Sequence, residues 1–375
     1  PKGKVLLIST LKTGKLAAGF IAKLRYGLGS LGLAYEACLK NEMDGKNRPQ
    51  GAGKDDTADF VELGYAPHKE LGERGEDFYF SGSHTLEYAF SAYASAMLGK
   101  SLGKTQDYDK LMWMARGWER IFDEKTGYMH PRLRNGEFIA NFDPMQVWRG
   151  FQEGNSMQYT FFVPQNPSGL VGRVGKDLFN HRLDSIFTVA RDMVFGGGKV
   201  VNAFSGLASP YNHGNQPSLH ISWLFNFSGK PWLTQKWTRL ICDEFYGVTG
   251  EHGYGYGQDE DQGQLGSWYV LAAMGLFDVQ GGVCQRPTYQ LGSPQFERIE
   301  IDLKGHQNAG RKFVIETKGN GPGQYYVQSA TLNGKPFDQC WLYRDELYKG
   351  GKLELQMGAE PNEQWGVEAA PACPQ

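Results

Sequence analysis

Apolar residues recur at helical spacing along most of the chain. In residues 85–98 they fall at i, i+3 and i+4 positions, the pattern of a helix with one broad apolar face. Residues 108–122 repeat this pattern. Four further segments share it: 178–187, 217–227, 231–245 and 264–276. Because long stretches rich in Gly, Asn and Pro separate these segments, we predict amphipathic helices joined by long loops, an arrangement typical of an (α/α)6 toroid.

The pattern changes near residue 286. Apolar and polar positions then alternate in four segments separated by Gly, Asn and Pro: 296–303, 312–317, 324–332 and 352–357. This alternation predicts a small antiparallel β region of four or five strands. The sequence therefore predicts a mainly α protein with a β region: an unassigned segment at 1–32, a helical toroid domain at 33–285 and the β region at 286–375.

Charge and composition narrow the function. The 39 basic and 41 acidic residues give a net charge of -2, which provides no field to recruit nucleic acid. No apolar run approaches the ~20 residues that a membrane-spanning helix needs. The five cysteines form no CxxC pair, which argues against a zinc ribbon or a thiol redox site, and a disulfide framework is not expected either. The 50 glycines and the 13% aromatic content suit carbohydrate-handling proteins and many β-rich proteins alike.

Two polar segments interrupt the middle of the chain. In the first, residues 151–159, Glu153 is followed by Gly-Asn and lies among aromatic residues, and the simplest interpretation is a turn with a solvated carboxylate. The second, residues 211–220, groups amides with His213 and His220. Such ligands suit sugar hydroxyls or a hard cation such as Ca²⁺. They suit zinc less, because the two histidines are seven positions apart and no third His or Cys is near. A capped helix N-terminus is the structural alternative.

A third polar segment, residues 253–268, carries three consecutive acids before an apolar helix. Asp261 with Gln264 three positions later fits a capping box, which explains one acid structurally. It does not explain why Asp259, Glu260 and Asp261 stand together, since clustered carboxylates repel and are often retained for ligands or proton transfer. A glutamate on one loop and an aspartate pair on another is what a two-carboxylate glycosidase needs.

Several ordered motifs are similar to one known family. They are Thr85-Leu86-Glu87-Tyr88, Phe142-Asp143-Pro144, the run 153–159, Gly214-Asn215-Gln216-Pro217, the run 259–269, Gly292-Ser293-Pro294 and the run 328–334. Through them, residues 33–366 resemble glycoside hydrolase family 92, the calcium-dependent exo-acting α-mannosidases.

The resemblance implies an inverting mechanism. Glu153 would be the general acid and Asp261 the general base, with Asp259 assisting it. Ca²⁺ would bind the sugar's 2- and 3-hydroxyls, and its expected ligands are Asn215, Gln216 and Asp259. The residues expected to bind the sugar itself are Asn155, Gln158, His213 and Trp268.

The function that follows is removal of terminal α-linked mannose, with an expected α-1,2 preference, from mannose-containing glycans. By the same resemblance the protein is expected in the periplasm, at the cell surface or secreted, although the given sequence shows no signal-peptide pattern.

Three departures from the family pattern matter. Gln216 stands where the family has a glutamate, and Ser91 and Ala92 stand where it usually has aspartates. Family members are also about twice as long, with a β-sandwich before the toroid. The chain is therefore expected to be a fragment, a truncated product or half of a two-chain enzyme whose partner chain supplies the sandwich. Two other hypotheses remain: an inactive or glycan-binding half-enzyme, and another toroid enzyme such as a glucosidase or a glycoside phosphorylase.

Overall fold

A computed structural model describes residues 31–45, 54–69, 79–197, 206–247, 263–304 and 311–368. Asp259, Glu260 and Asp261 lie outside the described residues. The helices are Leu31–Met43, Thr57–Leu63, Ser81–Ser101, Tyr108–Ala115, Gly117–Ile121, Ser156–Tyr159, Pro167–Val174, Lys176–Asp192, Phe225–Ser228, Pro231–Glu244, Gln264–Ala273 and Arg344–Tyr348. Short 3-10 turns are Val194–Gly196, Gln216–Ser218 and Ile221–Trp223.

Five of the predicted helical segments are confirmed in position, but the helix predicted at 217–227 is wrong. That stretch forms two 3-10 turns and the short helix Phe225–Ser228, which ends at Gly229 with a φ of 76°. All residues from 215 to 229 are buried. Their apolar spacing therefore reflects packing on every side and does not select one helical face.

The strands are β1 (Phe122–Asp123), β2 (Tyr128–Met129), β3 (Leu276–Phe277), β4 (Thr288–Leu291), β5 (Arg298–Asp302), β6 (Lys312–Lys318), β7 (Tyr326–Leu332), β8 (Lys335–Pro336), β9 (Trp341–Tyr343) and β10 (Gly351–Gly358). β1 and β2 form a hairpin, and β3, β4 and β9 form a small antiparallel sheet. The five-stranded sheet has the order β5-β6-β10-β7-β8. Its pairs are antiparallel except β6 with β10, which is parallel. The expected antiparallel arrangement therefore fails at that one pair, because β10 enters between β6 and β7.

The described residues form two compact units. One contains 31–45, 54–69, 79–165 and 206–218, and the other contains 166–197, 219–247, 263–304 and 311–368. In the second unit, helix and sheet are joined by hydrogen bonds such as Val327 N to Gln235 Oε1 at 2.9 Å and Asn226 Nδ2 to Leu291 O at 2.9 Å. The predicted boundary between 285 and 286 stays a prediction.

The helix Ser81–Ser101 is the centre of the first unit, and it is buried along almost its whole length. It is not amphipathic, since Ser83, Glu87 and Ser91 are as buried as its apolar residues. Buried polar groups need partners, so this helix anchors neighbouring segments by hydrogen bonds. One of those segments carries Glu153.

No helix in the described residues is long and apolar enough to cross a membrane. Of the cysteines in the same residues, Cys38, Cys242 and Cys340 are free and buried, whereas Cys284 is disulfide-bonded. The sequence predicts no disulfide framework, and the bond at Cys284 is one disulfide that this prediction did not include.

Candidate active site

Glu153 lies in a loop with an unusual backbone. Trp148, Gly150 and Glu153 all have positive φ angles, of 69°, 82° and 54°. For Trp148 and Glu153 this conformation is sterically unfavourable and persists only when the surroundings enforce it. The loop is closed by a hydrogen bond from Trp148 N to Gly154 O at 3.0 Å. Since such strain concentrates at functional sites, the backbone itself marks this loop as a candidate.

The N-terminus of helix Ser81–Ser101 holds the loop in place. Gly150 O accepts hydrogen bonds from Gly82 N at 2.8 Å and Ser83 N at 3.1 Å, and Gln152 N donates to Ser83 Oγ at 2.8 Å. A Cβ at Gly82 would lie 2.6 Å from the Phe151 ring and 2.8 Å from Gly150 O. Only glycine therefore permits this close approach. Sequence reasoning found the neighbouring Thr-Leu-Glu-Tyr motif but missed these two supporting residues.

The short helix Ser156–Tyr159 supports the loop from its other end. Asn155 caps the helix by accepting from Gln158 N at 3.1 Å, and Ser156 Oγ donates to Met129 O at 2.5 Å. Tyr159 is buried and its hydroxyl donates to Gln152 O at 2.8 Å. Burial raises the pKa of Tyr159 well above its usual value, and the Glu87 and Glu153 carboxylates raise it further. The phenol therefore stays neutral and keeps its proton for this bond.

Asn155 and Gln158 bind the protein backbone rather than an open surface. Asn155 Nδ2 donates to Leu207 O at 3.0 Å and Ser209 O at 3.1 Å, and Gln158 Nε2 donates to Ser209 O at 2.6 Å. Both side chains are buried. The Asn155 amide thus holds the loop through Nδ2 and Oδ1, and its predicted contact with the sugar stays a prediction. Gln158 Oε1 accepts no hydrogen bond from the described residues, so it can still accept one.

The amide-rich segment meets the Glu153 loop directly. Asn215 Nδ2 donates to Glu153 O at 2.7 Å, although 62 positions separate the two residues. The structure thus brings together Glu153 and Asn215, a predicted acid and a predicted metal ligand. The bond fixes the backbone of Glu153, while its side chain is only partly buried.

His213 is a buried partner of Tyr211. Its side chain is 0% exposed, and its Nδ1 lies 2.8 Å from the Tyr211 hydroxyl. Burial lowers the pKa of His213 to about 3, so the imidazole is neutral at physiological pH. The predicted contact between His213 and a sugar stays a prediction.

Trp268 belongs to the second compact unit and is also a core residue. It is 0% exposed, its Nε1 donates to Leu219 O at 2.7 Å, and its ring stacks on Tyr246 with centroids 5.9 Å apart. A sugar stacks only on an exposed ring face. The predicted contact between Trp268 and the substrate stays a prediction.

The predicted base and its assistant, Asp261 and Asp259, lie outside the described residues, so their roles stay predictions. The helix that follows begins at Gln264, and its N-cap is Gly263 with a φ of 78° and no side-chain cap. Both polar atoms of the Gln264 side chain lack a hydrogen-bond partner in the described chain, although the residue is only 4% exposed. The predicted capping box between Asp261 and Gln264 involves a residue outside the described ones and stays a prediction.

The described part of the metal site consists of two neutral amides. Asn215 and Gln216 are each 7% exposed, and because Asn215 Nδ2 is bound to Glu153, its Oδ1 is the atom left for a cation. Amide oxygens are hard ligands that fit Ca²⁺ and not zinc. Among the described residues, no three His, Cys, Asp or Glu side chains are grouped to hold a metal ion. A carboxylate such as Asp259 would have to complete the set.

A model of the glycosyl hydrolase family 92 catalytic domain matches residues 9–359. The chain belongs to glycoside hydrolase family 92. The matched region includes the Glu153 loop and the amide-rich segment. It also begins inside the segment 1–32, for which the sequence pattern gave no assignment.

Two solved structures of family members are similar to this chain. A family GH92 α-mannosidase from Bacteroides thetaiotaomicron is 30% identical with a TM-score of 0.78, and the match covers 96% of this chain and 43% of that one. A family GH92 inverting mannosidase from the same bacterium is 29% identical with a TM-score of 0.77, and the match covers 98% and 48%.

A protein from Arthroderma benhamiae, named an uncharacterized secreted glycosidase, is 27% identical over 366 residues. That match covers 89% of this chain and 43% of the relative. The family 92 chain described here thus spans less than half the length of each of these relatives.

Proposed function

We propose that the protein hydrolyses terminal α-linked mannose from glycans with inversion at the anomeric carbon. Glu153 protonates the leaving oxygen, and Asp261, assisted by Asp259, activates the attacking water. The observation that carries this proposal is the Glu153 loop, which is strained, closed on itself and fixed by hydrogen bonds at Gly150, Gln152 and the Glu153 carbonyl. The mannosidase names of the two bacterial relatives support the substrate class.

The fixed backbone of the Glu153 loop suits a general acid whose carboxyl group must approach the substrate in one geometry. Neighbouring segments hold the Glu153 backbone, and the residue as a whole is only partly buried. General acid catalysis requires a proton within hydrogen-bond reach of the leaving oxygen, and a fixed backbone limits the positions that the carboxyl can take. Asn155, Gln158 and Tyr159 act as positioning residues for this loop.

For the fold, we infer an (α/α)6 toroid from the helical part of the chain. The similarity to family 92 mannosidase structures, with TM-scores of 0.77 and 0.78 over nearly the whole chain, supports this inference. The α-1,2 preference and the mannose-containing glycan rest on the resemblance of the motifs. The partner chain expected from the sequence stays a prediction.

An oxidising location is also proposed: the periplasm, the cell surface or the outside of the cell. Disulfides persist in such compartments, and Cys284 is disulfide-bonded. The fungal relative's name, a secreted glycosidase, points the same way.

Calcium is the proposed cofactor, with Asn215, Gln216 and Asp259 as ligands. When bound, Ca²⁺ would polarise the sugar hydroxyls through its positive charge. We expect a chelator to abolish mannose release from an aryl α-mannoside, and we expect added Ca²⁺ but not Zn²⁺ to restore it. Saturating Ca²⁺ should also raise the melting temperature, because a ligand at 100 times its Kd stabilises the native state by about 2.7 kcal/mol.

Gln216→Glu supplies a matched test of the metal site, because it changes one neutral ligand to a carboxylate of the same length. The variant should need less Ca²⁺ than the wild-type protein to reach the same melting temperature. Full activity and an unchanged melting temperature in excess chelator would contradict the calcium proposal.

A further inference from the structure

A second titratable cluster lies next to the supports of the Glu153 loop. His130 follows β2 and is buried. Its Nδ1 lies 3.1 Å from Asp123 Oδ2, and its Nε2 lies 2.9 Å from Ile139 O. The imidazole thus joins the β1–β2 hairpin to the segment 138–144.

Both partners of the His130 ring are acceptors. Ile139 O is a carbonyl and cannot donate. Burial alone would raise the pKa of Asp123, but hydrogen bonds from His130, Lys125 N and Thr126 lower it overall, so the carboxyl is ionised. A ring that makes both contacts must donate from both nitrogens, and only the imidazolium carries two N–H groups.

The aromatic rings on either side of His130 favour a positively charged imidazole between them. Phe138 and Phe142 stack on it at centroid distances of 4.6 Å and 3.9 Å, nearly parallel to its plane. The Arg132 guanidinium carbon lies 3.9 Å from the centre of Phe138. Since two groups this close to one ring cannot share a face, the four side chains form a column in the order Arg132, Phe138, His130, Phe142. Aromatic faces attract positive charge, so the column favours the protonated ring.

The two segments that His130 joins both hold the helix after Glu153. From the segment side, Pro144 O accepts from Met157 N at 3.0 Å. From the hairpin side, Met129 O accepts from Ser156 Oγ at 2.5 Å. A change at His130 would therefore affect the helix Ser156–Tyr159 through two hydrogen bonds, one from the segment 138–144 and one from the hairpin.

We propose that His130 is a positioning residue for the general acid: its ring, donating from both nitrogens to Asp123 and Ile139 O, fixes the segment 138–144, and loss of the ring loosens that segment and lowers the rate of glycoside cleavage. The catalytic part of this inference rests on the proposed role of Glu153. The protonation state rests on the described contacts alone.

Other charged groups on the elements packed against His130 make separate contacts. They are Glu119 and Arg120 before β1, Glu124 and Lys125 in the hairpin turn, Glu137 beside Phe138 and Asp143 beside Phe142. Glu119 pairs with Arg116, Glu137 accepts from Asn135 Nδ2, and Asp143 accepts from Met145 N. Asp123 is therefore the carboxylate in hydrogen-bond contact with the ring.

The sign of the pH effect follows from Asp123. Because its folded pKa lies below the usual value, its contribution to stability is present above the unfolded pKa and is lost as the pH falls through the folded pKa. The contact between Asp123 and the His130 ring therefore weakens in acid.

The protonation state is tested first, by nitrogen-15 NMR of protein labelled in histidine, with the His130 signals assigned from a His130→Gln sample. In the buffer of the activity assay, both nitrogens of His130 should carry protons. A ring with a single proton in that buffer would overturn the inference. This readout needs no substrate and is therefore independent of the proposed function.

Kinetics test the positioning role. His130→Gln should lower kcat roughly 10- to 100-fold, the size expected for a small displacement of a catalytic group, with little change in KM. His130→Arg, which keeps a planar cation with two donors, should restore part of the rate. His181→Gln, at an exposed position on helix Lys176–Asp192, is the matched control and should change neither value.

Each outcome decides one claim. Equal activity of wild-type and His130→Gln protein across the pH range would overturn the positioning role. If His130→Gln does not fold, Asp123→Asn, which removes the charge that one ring nitrogen faces, must lower kcat with little change in KM, and an unchanged kcat overturns the role. Wild-type protein that releases no mannose contradicts the proposed function and, with it, the catalytic part of this inference, while the NMR spectrum still decides the protonation state.

Discussion

Glu153→Gln is expected to lower the rate of cleavage of a mannose disaccharide roughly 100- to 10,000-fold, the usual contribution of a general acid. The amide keeps the size of the side chain but cannot supply a proton to the leaving oxygen. An aryl mannoside with an activated phenol leaving group needs little protonation, so the same variant should cleave it at close to the wild-type rate. Steady-state kinetics on the two substrates measure this difference.

Asp261→Asn provides the contrast. The attacking water needs its base whatever group leaves, so this variant should lose activity on both substrates. Glu297→Gln, an exposed glutamate before β5, makes the same chemical change away from the loop and should leave both rates unchanged. Equal losses on the two substrates for Glu153→Gln would indicate a positioning role and overturn the assignment of the acid.

Lys54→Met is expected to destabilise the protein by about 3–5 kcal/mol, the range found when one partner of a buried ion pair is removed. The Lys54 and Glu42 side chains are 1% and 0% exposed and form a salt bridge. Glu42 Oε1 also accepts from Ser91 Oγ at 2.5 Å and Ser95 Oγ at 3.3 Å, which ties Leu31–Met43 to the central helix. Without the lysine, the carboxylate remains buried with only hydroxyl partners. Denaturant unfolding measures the loss.

The pair formed by Lys104 and Glu36 is the matched control. Its side chains are 39% and 63% exposed at 3.3 Å, and Lys104 also lies over a tyrosine ring. Lys104→Met should therefore cost no more than about 1 kcal/mol. The double variant Lys54→Met with Glu42→Gln should recover much of the stability lost in Lys54→Met, because no buried charge is left without a partner. Similar small losses in both single variants would show that the buried pair does not stabilise this unit.

This network also gives a physical reason for one departure from the family pattern. The aspartate that the family usually has at position 91 would face the Glu42 carboxylate, and two buried carboxylates repel. Ser91 instead donates a hydrogen bond to Glu42. The carboxylate is thus supplied by a different helix, which a single sequence does not reveal.

Long periodic segments were the predictable part of the fold. Pro231–Glu244 and Lys176–Asp192 each have one apolar face, and the alternation in β6 and β10 matches their buried and exposed sides. Short strands such as β3 and β4 carry too few residues for a period to be read. The parallel pairing of β6 with β10 depends on a strand that comes later in the chain, so local alternation cannot predict it.

The site was predictable in residue choice but less so in role. The motifs placed Glu153 and Asn215 together, and the structure joins them through a hydrogen bond. They also suggested that Asn155 and Trp268 contact the sugar, which stays a prediction; in the structure Asn155 Nδ2 and Trp268 Nε1 donate to backbone carbonyls. A polar residue in a motif shows that a partner is needed, and only the fold shows whether that partner is substrate or protein.

Proton NMR of the sugar first released from an α-linked mannoside tests the central claim most directly. A single displacement by water, with Glu153 as acid and Asp261 as base, inverts the anomeric carbon. The account predicts that β-mannose appears first and then equilibrates with the α anomer. Initial α-mannose would show retention and a two-step mechanism, and the absence of any released mannose would contradict the hydrolase itself.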